Sequence, residues 1–217
     1  MLRGNCLTWT FILVTTLATL SCRKSDNDAA KSVPAVVSPS QAPPTQPVWV
    51  PNPSLVSRLT KTETLGKYQI SLPKEFVNVP TNRKVPDTLK LYSWKSLHAS
   101  GNISAALSVM VSSDAKQVAD AKKNMRQVLV NVSAGMTDAM GVSIGRREKT
   151  ETGLLNEFAF SRFKWSGTTI DGGPVSGLIY GALDGESSIV INAMAVGEDA
   201  RTQGPMLESI VATFKKR

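Results

Sequence analysis

Apolar and polar positions along this chain alternate with a period of two in several short runs and switch to helical spacing in two others. Tyr68, Ile70 and Leu72 alternate in GKYQISLP, a strand closed by Pro73. Leu89 to Lys95 reads as a second strand, with a turn at HASGN before the third. In that third strand Ile103, Ala105, Leu107, Val109 and Val111 share one face. From Asp114 the apolar residues fall at Val118, Ala121, Met125, Val128, Leu129, Val132 and Met136, the buried stripe of an amphipathic helix. Asp114 with Gln117 three places on has the spacing of a capping box. Four strands are predicted next, over 142–149, 154–165, 175–183 and 187–196. Asp184-Gly185 predicts a tight hairpin whose two central residues both take positive φ. A closing helix over about 203–213 turns Met206, Leu207, Ile210 and Val211 inward. The order is β-β-β-α-β-β-β-β-α. Short connections predict an antiparallel β-sheet, and two amphipathic helices must cover it. The fold class is therefore α+β, an antiparallel β-sheet covered by two amphipathic helices.

The pattern before residue 64 is different in kind. Residues 1–21 run from Arg3 through an apolar stretch, Cys6 to Leu20, to the small residue Ser21, and the chain turns charged after Cys22 with Arg23 and Lys24. That order predicts a secretory signal, removed before folding. The apolar run is shorter than the roughly 20 residues that a membrane-spanning helix needs. A cysteine directly after the small residue resembles the lipobox of bacterial lipoproteins. In that family the signal is cut before the cysteine, whose thiol then carries a diacylglycerol. The sequence departs from the family at Thr19, where leucine is preferred, so an ordinary signal cut and a retained helix stay open as alternatives. The resemblance implies lipidation at Cys22 and a membrane partner through that anchor. It also implies a place in the cell envelope, at the outer membrane or periplasmic face, because Arg23 stands where an inner-membrane retention aspartate often follows the cysteine. Residues 22–63 are rich in Pro, Ser, Ala, Gln and Thr, and Pro34, Pro39, Pro43, Pro44, Pro47, Pro51 and Pro53 exclude helices and central strands. This is a tether, with residues 64–217 as the one domain. Trp49 is its odd member, read as docking on the domain in preference to hooking a partner.

Both cysteines, Cys6 and Cys22, lie in the signal or at its end, so the domain has neither disulfide nor thiolate metal site to draw on. His98 is the single histidine and sits in a turn, which argues against a metal centre or a relay. Ser113-Asp114-Ala115-Lys116 fits S-x-x-K at a strand-to-helix junction, where serine hydrolases of the penicillin-binding type place a nucleophile. Its partner motifs are missing or in the wrong order, so Ser113 and Asp114 read as helix caps. Asp171-Gly172-Gly173 and Asp184-Gly185 are turn formers. No catalytic residue, cofactor site or metal site is expected, and the chain is read as a non-enzyme.

The 25 basic and 17 acidic residues give a net charge of +8. Export argues against nucleic acid as the partner. The basic residues are dispersed, which suits a solvated face; the sharper reading is attraction to anionic lipid headgroups or to an acidic envelope polymer. The strand order resembles the PsbP/DcrB-like superfamily, an α-β-α sandwich used also by the yeast Ran release factor. The resemblance is carried by GKYQISLPKEF, the Trp94 strand, the helix from Asp114, and the run GLLNEFAFSRFKW…GPVSGLIYGALDGESSIVINAMAV. It implies a non-catalytic module that binds a protein partner or steadies a complex. The alternative is a small-ligand or lipid binder with a groove between sheet and helices. Phe163, Trp165 and Tyr180, with Phe158 and Phe160, are the aromatics that such a groove would use, although alternating aromatics more often fill a core.

Overall fold

The computed structural model describes residues 46–80, 85–139 and 141–217. The signal segment, Cys22 and the tether through residue 45 lie outside them.

A large antiparallel sheet forms the middle layer. Its strands are β3 (Val77–Asn78), β4 (Leu89–Leu97), β5 (Ile103–Ser112), β6 (Val142–Arg147), β7 (Glu151–Leu155), β8 (Phe158–Thr169), β9 (Pro174–Asp184) and β10 (Ser187–Val196). The spatial order is β3-β4-β5-β10-β9-β8. The long strand β8 then takes β7 along its first half and β6 along its second. Helix α2 (Ala115–Ala139) lies across β6, β8, β9 and β10 on one face. Helix α3 (Gly204–Ala212) packs on the other against β9 and β10. A second, three-stranded sheet flanks α3 in the order β1 (Lys61–Leu65), β2 (Tyr68–Leu72), β11 (Lys215–Lys216). The α+β class and the three layers are those expected.

The alternation in each strand divides the interior into two cores. On the α3 side Ile70, Trp94, Leu107, Phe160, Ile191 and Phe214 form one cluster; on the α2 side Leu129, Phe163, Ile179, Val190 and Met194 form the other. Successive residues of β10 go alternately to the two, as the pleat requires.

Several expectations are corrected. The apolar run 154–165 is not one strand. It folds back at Asn156-Glu157, where Asn156 takes φ 51°, so β7 pairs antiparallel with β8 through Leu155 and Phe158. In the β9–β10 hairpin Asp184 pairs with Ser187, so the central residues are Gly185 and Glu186, and Gly185 alone has positive φ. That is the arrangement of a type II′ turn, with glycine first. The capping box forms by half: the Asp114 carboxylate accepts the Gln117 N–H at 2.9 Å, while the Asp114 N–H donates to Ser112 Oγ. Helix α2 is kinked at Asn124, whose side chain caps the second segment by accepting the Gln127 N–H at 3.0 Å.

Structure also starts upstream of residue 64. Besides β1, a short helix α1 (Pro53–Val56) packs against α3, with Asn52 as its cap.

Candidate functional site

The chemistry-bearing side chains of the domain gather on the flank where β7, β8 and β9 meet α3. Odd and even positions of β8 face opposite ways, so Phe160, Arg162 and Lys164 turn to α3 while Phe163 and Trp165 turn to α2. Arg162 donates through Nε to Glu151 at 2.9 Å and through Nη1 to the Tyr180 hydroxyl at 3.2 Å. Glu208 of α3 reaches Lys164 at 2.6 Å and Arg162 at 3.5 Å. Burial pushes the Tyr180 hydroxyl up to about 12; Arg162 opposes that rise, and Glu208 and Glu151 add to it. Tyr180 is therefore a neutral hydroxyl at physiological pH.

Trp49 completes this cluster. The segment before α1 runs beside β7: the Trp49 N–H donates to the Leu154 carbonyl and the Leu154 N–H to the Pro47 carbonyl, both at 2.8 Å. The Trp49 ring then lies under the Arg162 guanidinium, 4.1 Å from its centroid, and edge-on to Tyr180 at 5.6 Å. Gly153 permits the approach, because a Cβ there would stand 2.6 Å from the Pro47 carbonyl oxygen and 2.8 Å from the indole. Farther along, the Asn52 N–H donates to Ser209 Oγ of α3. The end of the tether is thus strapped to the domain.

Of the three aromatics singled out from sequence, Phe163 and Trp165 are buried beneath α2, and Tyr180 is buried on the opposite face. They do not come together. Register decides this: Arg162 pairs with Tyr180 and Phe163 with Ile179. Two open cavities, about 210 and 220 Å³, share Glu208 in their lining. The first mixes Arg146, Lys164 and Ser176 with Trp165, Leu178 and Leu207; the second sets Arg162, Tyr180 and Glu208 among Val48, Trp49 and Leu155.

A second cluster has no motif in the sequence. Asp184 is expected there only to form a turn, yet its carboxylate accepts the Tyr68 hydroxyl at 2.7 Å and pairs with Lys67 at 2.9 Å and Lys216 at 2.7 Å. Burial works to raise its carboxyl; the bonds from Lys216, Tyr68 and Lys67 outweigh burial and hold it at about 2. The cluster clasps the β9–β10 hairpin to the three-stranded sheet. Its only sequence signal was a charged residue ending an apolar strand. His98 is also engaged, 3.2 Å from Asp199. Ser113 donates to the Thr88 carbonyl, and Lys116 of the S-x-x-K run is exposed. Among the described residues no group of three or more His, Cys, Asp or Glu is placed to hold a metal ion.

No protein-family model and no curated protein matches the chain. Among solved structures it is similar to the Ran-binding protein Mog1p of Saccharomyces cerevisiae, with 15% identity over 72% of this chain and 94% of that one and a TM-score of 0.43. It is also similar to the PsbP protein (CyanoP) of Synechocystis sp. PCC 6803, with 13% identity over 72% and 91% and a TM-score of 0.45. A protein of Bacteroides thetaiotaomicron gives 10% identity over 71% of this chain and a TM-score of 0.42, and the chain spans 47% of its length. The α+β architecture itself rests on the strand order and the two helix layers.

Proposed function

We propose that this chain is a non-catalytic binding module of the cell envelope, exported by residues 1–21, held to a membrane by a lipid on Cys22, and acting through a protein partner. The domain is a PsbP/DcrB-like one in this reading, and the basic residue after Cys22 favours the outer membrane or its periplasmic face. The strap carries the reading. A domain joined to its anchor through residues 22–45 gains a defined point of attachment when Trp49 is clamped between Arg162 and Tyr180. The charged residues nearby join one element to another, as a scaffold requires.

The small-ligand reading draws on the two cavities beside Glu208. At about 210 and 220 Å³ they fall below the roughly 300–1,000 Å³ of common ligand pockets, so the partner-binding reading is preferred.

The test is photo-crosslinking in native membranes, with the crosslinker at Val77 and Leu97, exposed apolar residues at the β3–β4 edge, and at positions on α3 and β7. The expected result is one stoichiometric protein partner, lost in Cys22→Ser and when the capturing surface is altered. Absence of a reproducible partner from every position overturns the reading and favours the ligand binder.

A further inference from the structure

The ion pairs gather on the small sheet and the α3 flank. There Arg58, Lys61, Lys67, Arg162, Lys164 and Lys216 each hold a carboxylate, while Arg146, Lys215 and Arg217 are exposed and hold none among the described residues. On the opposite face Lys116, Lys122, Lys123 and Arg126 of α2 are all exposed, and none is paired among the described residues. Arg147 of β6, likewise exposed and without an ion-pair partner there, stands in register with Trp165 and so on the same side of the sheet as α2. The acids of α2 are Asp120 and Asp138, which leaves the helix with a net positive charge. The kink at Asn124 sits within this run, with Lys122 and Lys123 before it and Arg126 after.

We propose that this face of α2 is a docking surface for anionic phospholipid headgroups, which lays the domain flat on the membrane that anchors it. The proposal rests on the anchored reading above. Two arguments favour lipid. The first is charge complementarity: exposed lysines and arginines without an ion-pair partner among the described residues keep their attraction for a negative surface. The second is reach. A coil of 24 residues, the number from 22 to 45, would span about 25–30 Å. Such a leash holds the domain at the bilayer and leaves it free to turn the α2 face down. Each cation near an anionic surface strengthens docking about fivefold, so neutralising three weakens it roughly 100-fold.

The experiment uses the mature anchored chain in vesicles of phosphatidylcholine, with and without phosphatidylglycerol, carrying nitroxide-labelled headgroups. A fluorophore is placed either at Ala119→Cys on α2 or at Val56→Cys on α1, both exposed. Flotation on neutral vesicles reads the anchor; quenching reads the face. We expect Ala119 to be quenched only with phosphatidylglycerol and Val56 to stay unquenched. The effect should vanish at high salt and in Lys122→Gln/Lys123→Gln/Arg126→Gln, whose circular dichroism and melting should match the parent. A chain that floats without selective quenching keeps the anchor and overturns the proposal, as expected if the face serves an acidic protein or polymer. Binding to phosphatidylglycerol vesicles alone, with Ala119 quenched, supports the face and overturns the anchor. Neither flotation nor quenching overturns both.

Discussion

Gly153→Ala tests how firmly the tether is strapped to the domain. The added methyl would stand 2.6 Å from the Pro47 carbonyl oxygen and 2.8 Å from two atoms of the Trp49 ring. Two of those obstacles belong to a rigid indole and the third to backbone, so the strap must move away. Displacement loses the Arg162 contact, the Tyr180 contact and the two hydrogen bonds with Leu154, each worth about 1 kcal/mol. Freeing the strap returns part of that as backbone entropy. The net cost is about 2 kcal/mol, or about 5 °C in Tm for a domain of this size. Chemical denaturation with fluorescence detection gives the stability. Trp94 and Trp165 are buried, so acrylamide quenching of the mature chain reports chiefly on Trp49. The expected variant melts earlier, its Trp49 is more readily quenched, and proteases cleave the segment before α1 faster. An unchanged Tm together with unchanged quenching would refute the reasoning.

Two further perturbations probe the clasp and the second core. The Asp184 carboxyl is depressed to about 2 in the fold, against 3.8 for a free side chain, so its contribution is complete above about pH 4 and is lost as pH falls toward 2. Asp184→Asn is expected to cost on the order of 2 kcal/mol at pH 7, and urea titrations should show the gap to wild type closing between about pH 4 and 2; a pH-independent gap contradicts the ion-pair account. Gly177→Ala drives a methyl into the buried Trp165 ring, which crosses the glycine, and should destabilise by roughly 1–3 kcal/mol. A variant as stable as wild type would show that the ring has room to shift.

Much of the architecture could be read from periodicity. The strand at Tyr68 and the helix carrying Ile210 and Val211 bury the face that their spacing marks, while the strands at Ile103 and Ser187 are central and buried on both faces. What escaped was governed by contacts distant in sequence or by weak local signals. The turn at Asn156-Glu157 lacks both glycine and proline, and only two adjacent polar residues mark it between Leu155 and Phe158. Strand β1 buries Leu65 and is otherwise polar, so KTETL gives no apolar stripe. The kink in α2 did leave a trace: Asn124 and Gln127 repeat the three-residue spacing of Asp114 and Gln117, a second cap inside the helical run. The fate of Phe163, Trp165 and Tyr180 depended on the pairing of β8 with β9, which no local pattern reveals. The Asp184 clasp is of the same kind, since Tyr68 lies 116 positions away.

The premise beneath the functional account is a lipid-held module that begins at Cys22. The intact mass of the chain extracted from its native membrane tests this most directly. The account predicts a chain that lacks residues 1–21 and carries a diacylglycerol, with its acyl chains, on Cys22. A chain starting elsewhere, or an unmodified Cys22, would contradict it.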